Sequence, residues 1–291
     1  MIPAAFDYHS PATLDEALAL LAEHGDKAKI LAGGQSLLPM LKLRLGQAGV
    51  LIDIGRVPGL EYIKEEGGTL KIGAATRESA LERSELIRSK YPILLDTAAV
   101  IADPLVRNRA TVGGNLAHSD PANDHPATML ALGATVVARG PKGERTIPIG
   151  EFFTGIFSTA LAPNEILTEI RIPIPLPRSG GAYRKLERKV GDFATAAAAV
   201  QLTLGAGGEV VQVGIGLTAM GETPVKATDA EAYLRGKKTN GAAIAEASRR
   251  AAAATDPTAD RRGAVEYKRE MARVLTERAL RLAIQRAGGT V

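Results

Sequence analysis

Two short segments, each with a pair of adjacent glycines, constrain the fold of this chain more than any other feature. The first is Ala32-Gly33-Gly34-Gln35-Ser36 and the second is Thr111-Val112-Gly113-Gly114-Asn115, and each follows an apolar stretch. A Gly-Gly pair adopts backbone angles closed to other residues and carries no Cβ. Successive N–H groups in such a turn can converge on an anion. The two segments are therefore candidate turns that hold the two phosphates of a dinucleotide between them.

The two glycine segments alone do not distinguish between two interpretations: nucleotide-binding turns and purely structural turns. Neither segment has the G-x-G-x-x-G spacing of a Rossmann fingerprint, and the chain has no G-x-x-x-x-G-K-[ST] phosphate loop. A further pair of glycines, Gly214-Ile215-Gly216, lies inside a predicted strand with no helix after it, and this favours a role in sheet packing.

Length and composition narrow the class of protein. The chain has 291 residues, which is enough for about two domains. Its 36 Lys and Arg barely exceed its 32 Asp and Glu, and aromatic residues make up only 4%. With no recognisable binding motif and no dense basic stripe, nucleic acid is not expected as a partner.

The chain contains no cysteine. Disulfides, thiolate catalysis and cysteine-ligated iron–sulfur clusters are therefore excluded, and a reducing compartment, the cytoplasm, is expected. The first residues lack the basic start and apolar core of a signal peptide. No stretch approaches the ~18 uncharged apolar residues of a transmembrane helix.

The apolar pattern predicts three regions. The first is a compact βαβ-like unit in which Thr13 and Glu16 have capping-box spacing. Its predicted elements are a helix within 10–24, a strand at 28–31, a short helix at 37–45 and a strand at 50–54. The second region is predicted to contain a hairpin across 62–72, a helix from Thr76 through the eighties, a helix at 93–101, a helix ending at 132, and strands at 134–138, 145–147 and 166–172.

The third region begins after a proline-rich linker predicted near 173–181. Its predicted elements are an antiparallel meander of strands at 182–188, 194–204 and 210–219, followed by helices at 228–235, 241–254 and 264–287.

The polar residues suggest no metal site, because no two of the four histidines (His9, His24, His118 and His125) have the i, i+4 spacing of a zinc-binding helix. His118-Ser119-Asp120 contains the residue types of a nucleophilic triad, but contiguous residues rarely converge on one reaction centre. Asp120 and Asp124 follow the second glycine pair. They are either turn and cap carboxylates or hydrogen-bond partners of a ribose or an adenine.

Several segments together resemble the FAD-binding medium subunit of the molybdenum hydroxylases, which include aerobic carbon monoxide dehydrogenase and the xanthine dehydrogenases. The resemblance covers essentially the whole chain. The segments that carry it are the two glycine segments, Phe6-Asp7-Tyr8, the run from Asp103 to Arg109, the run from Ser119 to Asp124 and the run from Tyr183 to Ala194.

The resemblance implies an α+β fold, with a two-subdomain FAD-binding module of the vanillyl-alcohol-oxidase (PCMH) type before a C-terminal three-stranded antiparallel sheet with helices. The implied domains are 1–177, with subdomains of about 1–57 and 58–177, and 178–291.

The resemblance also implies the residues that bind FAD. Ala32, Gly33, Gly34, Gln35 and Ser36, with Thr111, Val112, Gly113, Gly114 and Asn115, would surround the pyrophosphate with backbone N–H groups. Asp124 would meet the adenosine end, Ile101 and Ala102 would lie near the flavin, and Lys185 would approach the flavin ring. Some carbon monoxide dehydrogenase subunits have His where this chain has Gln35, so the resemblance does not carry over the oxidation of carbon monoxide.

In such complexes a large subunit holds the molybdenum cofactor, a small subunit carries two [2Fe-2S] clusters, and the medium subunit passes electrons through FAD to an external acceptor. The resemblance therefore implies an oxidoreductase subunit without a catalytic acid–base pair of its own, in an assembly with two copies of each subunit. Two alternatives are a stand-alone flavin-dependent reductase or oxidase of related fold and a non-catalytic module with structural glycine turns.

Overall fold

The computed structural model describes residues 2–291, in which three larger sheets follow one another along the chain, with a fourth, two-stranded sheet within the second region. The first is a parallel sheet in the strand order β1-β3-β2. Its elements are β1 (Asp7–His9), α1 (Leu14–His24), β2 (Ala28–Leu31), α2 (Leu37–Lys42) and β3 (Val50–Asp53). The βαβ prediction is confirmed, and Thr13 caps α1 by accepting a hydrogen bond from the Glu16 N–H at 3.1 Å.

The second sheet is antiparallel, in the order β4-β5-β10-β6-β7. Its elements, with the helices between them, are β4 (Ile63–Glu66), β5 (Thr69–Gly73), α3 (Glu78–Arg83), α4 (Glu85–Lys90), α5 (Pro92–Ala99), α6 (Pro104–Arg107), α7 (Val112–His118), α8 (Asp124–Leu132), β6 (Thr135–Gly140), β7 (Gly143–Pro148), α9 (Ile149–Phe152), the short hairpin β8 (Phe153–Gly155) and β9 (Ser158–Thr159), and β10 (Ile166–Pro173).

One helix predicted in this region is divided into two helices in the structure. The pattern from Thr76 through the eighties predicts a continuous helix, but α3 ends at Arg83 and α4 begins at Glu85. Ser84 has extended backbone angles, and its side chain accepts a hydrogen bond from the Ile87 N–H. A serine in this role starts a new helix instead of continuing the old one.

The third sheet is the predicted antiparallel meander, with one short strand added at its edge. Its elements are β11 (Ser179–Leu186), β12 (Ala196–Leu204), β13 (Val210–Thr218) and β14 (Val225–Lys226), followed by α10 (Thr228–Leu234), α11 (Gly241–Ala253) and α12 (Val265–Arg286). The sheet is therefore four-stranded, because the chain turns back after β13 and pairs two more residues with it.

Helix α8 packs directly on β13 and joins the second region to the third. A Cβ on Gly214 would lie 2.0 Å from the Ala131 carbonyl oxygen, and one on Gly216 would lie 2.1 Å from that of Ala127. Only glycine permits such an approach of strand to helix. The role in sheet packing that the sequence favours for these glycines is confirmed.

Candidate cofactor site

The two glycine segments, distant in the chain, meet in space. A Cβ on Gly33 would lie 2.2 Å from the carbonyl oxygen of Arg109 and 2.8 Å from the Cα of Ala110. A Cβ on Gly114 would lie 3.7 Å from the Cβ of Ala32. The first segment therefore rests on the backbone that leads into the second, and any side chain at position 33 would separate them.

The first segment offers a row of free backbone donors. Among the described residues, no N–H from Gly33 through Leu37 donates a hydrogen bond within the chain. Gly34 has φ +76°, a conformation that glycine adopts without strain. Ser36 precedes α2 but makes no capping bond with its side chain. Consecutive unpaired N–H groups on such a bend form a concave site for an anion.

The second segment differs from the turn that the sequence predicts, because its glycines lie in the first turn of helix α7. Its N–H groups are already used: Val112 donates to Thr76, Gly113 to Ala74 and Asn115 to Thr111, all through backbone oxygens at 2.9–3.0 Å. The Gly114 N–H donates to the Thr111 side chain at 3.2 Å.

The backbone N–H groups of the second segment are therefore paired within the chain, and its predicted contact with a pyrophosphate stays a prediction. Gly113 serves packing, since a Cβ there would lie 2.5 Å from the Cβ of Ala74 and 2.6 Å from its carbonyl oxygen. What this segment presents is polar side chains. The Asn115 Oδ1 atom is buried and has no hydrogen-bond partner within residues 2–291. Buried polar atoms are normally paired, so this atom fits a group supplied by a ligand.

The segments line one cleft of about 470 Å³, within the usual size range of small-molecule sites. The predicted cofactor residues that line it are Ala32, Gly33, Gly34, Gln35, Ser36, Thr111, Gly113, Gly114 and Asn115. The other predicted cofactor residues do not line the cleft: Val112, which is buried, and Ile101, Ala102, Asp124 and Lys185.

Asp124 and Lys185 form a buried ion pair outside this cleft. The Lys185 ammonium lies 3.0 Å from the Asp124 Oδ2 atom and donates to the Val100 carbonyl oxygen at 3.0 Å. The Tyr183 hydroxyl donates to Asp124 Oδ1 at 2.6 Å. Burial raises the pKa of Asp124, while the ammonium of Lys185 opposes that rise.

The predicted roles of the two residues stay predictions: Asp124 at the adenosine end of the dinucleotide and Lys185 at the flavin ring. The structure adds that their side chains are in direct contact, because α8 and β11 come together in the folded chain. Sequence separation hides this contact.

Ile101 and Ala102 lie at a crossing of two loops. Ala102 has φ +45°, and a Cβ on Gly191 would lie 2.6 Å from its carbonyl oxygen. The Ile101 carbonyl oxygen accepts a hydrogen bond from Arg107 Nη1 at 3.0 Å. The loop between β11 and β12 thus covers Ala102.

The cleft also contains residues that the sequence did not single out for this site. His118, Phe157, Leu161, Glu165 and Leu167 belong to its wall. Phe157 and Leu161 lie in segments without a motif, and His118 attracts attention in the sequence only as a metal or triad candidate. No local pattern marks the other four residues, because β8, β9, β10 and the loops beside them bring these residues to α7 from a distance.

A row of free N–H groups and an unpaired amide oxygen belong to segments that line one cleft, an arrangement typical of proteins that bind a phosphate-bearing ligand. Comparison with known proteins gives the family. Residues 4–175 match the FAD binding domain in molybdopterin dehydrogenase, and residues 181–283 match the CO dehydrogenase flavoprotein C-terminal domain.

Full-length relatives agree with these matches. The carbon monoxide dehydrogenase medium chain of Hydrogenophaga pseudoflava is 45% identical over 283 residues, which is 97% of this chain and 98% of that one. The xanthine dehydrogenase FAD-binding subunit of Escherichia coli O157:H7 is 30% identical and covers 97% of both chains. A solved structure of carbon monoxide dehydrogenase from Hydrogenophaga pseudoflava, lacking the Mo-pyranopterin moiety of its cofactor, superposes with a TM-score of 0.96 at 47% identity, over 98% of this chain and 99% of that one.

This chain therefore belongs to the family of FAD-binding medium subunits of the molybdenum hydroxylases. It is an oxidoreductase subunit, and its cofactor is FAD. The predicted fold class is confirmed. Among the helices of residues 2–291, none has the length and apolar character needed to cross a membrane.

Proposed function

We propose that this chain carries electrons in a molybdenum hydroxylase complex, taking them from the [2Fe-2S] clusters of a small subunit and passing them to an external acceptor. A large subunit with the molybdenum cofactor would oxidise the substrate. The observation that supports this proposal is the convergence of the two glycine segments on one cleft, in a chain whose relatives are medium chains of dehydrogenases. We also propose a cytoplasmic location and a domain border near residues 177 and 178.

Within this proposal the first segment holds the pyrophosphate. The free N–H groups from Gly33 to Leu37 point to an anion, and Asn115 and Thr111 face them across the cleft with an amide and a hydroxyl. FAD supplies the redox chemistry when it is bound, and the protein supplies its position and electrostatic surroundings.

The pair Asp124–Lys185 would act near the flavin ring. Because Lys185 already neutralises a carboxylate, it contributes less net positive charge than a free lysine would. Its effect on the flavin depends on whether the ion pair stays closed when FAD binds.

The proposal is tested with the complex purified through a tag on this chain. Small and large partner subunits are expected to co-purify. After anaerobic reduction of the iron–sulfur subunit, mixing with the FAD-loaded chain should bleach the flavin absorbance while the cluster signals return to the oxidised form. Reduced clusters that leave the flavin oxidised would refute the electron-transfer role. Direct turnover of a substrate by the isolated chain would favour a stand-alone flavoenzyme instead.

A further inference from the structure

The cleft wall beside the glycine segments carries an aromatic pair that the predicted cofactor site leaves without a role. The rings of His118 and Phe157 lie with centroids 5.0 Å apart and planes at 39°. Both residues line the cleft, and Phe157 is 52% exposed. An exposed phenyl ring beside a nucleotide site is available for stacking.

The backbone that presents this pair is strained. Ser119 and Phe157 both have φ +54°, in the left-handed region that residues other than glycine seldom adopt. The Phe157 N–H donates to the Ser119 carbonyl oxygen at 3.0 Å, so the two strained residues are directly linked. Strained residues of this kind persist where the surroundings fix them, and they cluster at ligand clamps.

The surroundings that fix this strain are visible in the structure. The Ser119 hydroxyl contacts the carbonyl oxygen of Ser158 at 2.9 Å and that of Gly155 at 3.2 Å. The end of helix α7 is therefore tied to both strands of the β8–β9 hairpin. A glycine at position 157 would adopt this backbone conformation without strain, whereas the phenylalanine present there carries a cost in conformational energy.

The chemistry of the pair suits a neutral planar ring. Burial lowers the pKa of His118, while the Asp120 carboxylate, 4.0 Å away, opposes this only in part. The imidazole is therefore uncharged at neutral pH and backs the phenyl ring as an apolar surface. Leu161, next along the same wall, extends that surface.

We propose that Phe157, positioned by His118, forms the stacking platform for the adenine of FAD. This inference rests on the proposed binding of the pyrophosphate by the first glycine segment and of the flavin near Ala102 and Lys185. Ala102 and Lys185 lie outside the cleft, so the cleft wall that contains Phe157 is the part available to the adenine end of the dinucleotide. The phenyl ring then selects for a dinucleotide over FMN.

The test compares two ligands that differ only in the base, ADP and ribose 5-diphosphate, on the full chain stripped of FAD. Base–aromatic stacking is worth about 1–3 kcal/mol, so wild type should bind ADP at least about fivefold more tightly than ribose 5-diphosphate. In Phe157→Leu this ratio should fall towards one, and FMN affinity should not change. Tyr267→Leu, which removes a ring of similar exposure on α12, should leave the ratio at its wild-type value.

A second variant separates stacking from a structural role. Asn tolerates the left-handed region, so Phe157→Asn should lose the ADP preference without a lower melting temperature. His118→Phe should keep the preference and His118→Ala should reduce it. A melting temperature that falls in step with the preference would mean that Phe157 only holds the hairpin in place.

Provided that the wild-type chain binds FAD, three outcomes would overturn the inference. They are an unchanged ratio in Phe157→Leu, an equal loss of affinity for both diphosphates, and a loss of FMN affinity as large as the loss for ADP. The last would place the flavin ring, not the adenine, on Phe157. If wild type binds no FAD at all, the proposed function itself fails.

Discussion

The cleft between the glycine segments and the cluster around Asp124 were both expected to contact the cofactor, yet they are built in opposite ways. The cleft is open, with free N–H groups from Gly33 to Leu37 and an unpaired oxygen on Asn115. The cluster is closed: Asp124 is bonded to Tyr183 and Lys185, and the Lys185 side chain is only 3% exposed.

This difference separates residues that can bind a ligand as they stand from residues that must first exchange partners. An unpaired polar group gains a hydrogen bond when a ligand arrives. A buried ion pair loses one unless the ligand replaces it, and such pairs are costly to break. Changes in the cleft should therefore alter FAD affinity, whereas changes in the cluster should mainly alter stability.

Loss of the Lys185 charge from the cluster around Asp124 should reduce the stability of the fold more than any other change considered below. Lys185→Met removes the positive charge and leaves the Asp124 carboxylate buried without its partner, which should lower the free energy of unfolding by about 3–5 kcal/mol. Denaturant unfolding of the cofactor-free chain measures this loss. The double variant Asp124→Asn/Lys185→Met, which removes both charges of the pair, should recover part of it, while the Glu187 carboxylate, 3.4 Å from the ammonium in wild type, still lacks its partner. A stability equal to wild type would show that the pair is not closed in solution.

The deficit of Lys185→Met should also depend on pH. An acid whose folded pKa is raised stabilises the fold below its unfolded pKa of about 3.9 and loses that contribution as pH rises through the folded pKa. Without Lys185, the folded pKa of Asp124 rises further, so protonation relieves the buried charge at a higher pH. The stability gap to wild type should shrink between neutral pH and pH 5. Urea midpoints of both proteins measured across that range would show a constant gap if Asp124 were not responsible.

The next largest effect is expected from Gly113→Ala. Its Cβ would collide with the side chain and backbone of Ala74, so helix α7 and the segment that follows β5 must separate. Overpacking of this kind costs about 1–3 kcal/mol or more. Chemical unfolding measures it, and Gly46→Ala, where no heavy atom lies within 4 Å, is the matched control. Equal midpoints for the two variants would contradict the close packing at Gly113.

Gly33→Ala should chiefly affect the cofactor. The added methyl meets the Arg109 carbonyl oxygen and pushes the two segments apart, which widens the cleft at the pyrophosphate. FAD affinity should fall at least about tenfold, equivalent to about 1.4 kcal/mol, and titration of the stripped chain with FAD measures it. If FAD binds with wild-type affinity, the two segments do not share one ligand.

The smallest change in stability is expected when either of two threonine helix caps is removed. Thr111→Ala and Thr13→Ala should each cost about 1 kcal/mol of stability, since both hydroxyls accept an N–H at the start of a helix. Only Thr111 lines the cleft, so only Thr111→Ala should also weaken FAD binding. Equal FAD affinities in the two variants would remove Thr111 from the site.

Local patterns predicted most of the elements because their causes are local. The strand at Ala28–Leu31 matches the prediction at both ends, and the three long helices after Pro224 agree within two residues. The break at Ser84 was missed because a serine inside a helical pattern fits both continuation and a new cap, and only packing decides between them.

The amino-acid sequence is enough to establish that there are two glycine segments, that no cysteine can ligate a cluster, and where most strands and helices lie. What each glycine segment does depends on its neighbours in the folded chain. Gly33-Gly34 and Gly113-Gly114 are the same dipeptide, but the N–H groups of the second are consumed by Ala74 and by the cap of α7, while those of the first stay free. The physical reason is that a hydrogen-bond donor is available only if no neighbour in space accepts from it, and such neighbours come from distant parts of the chain.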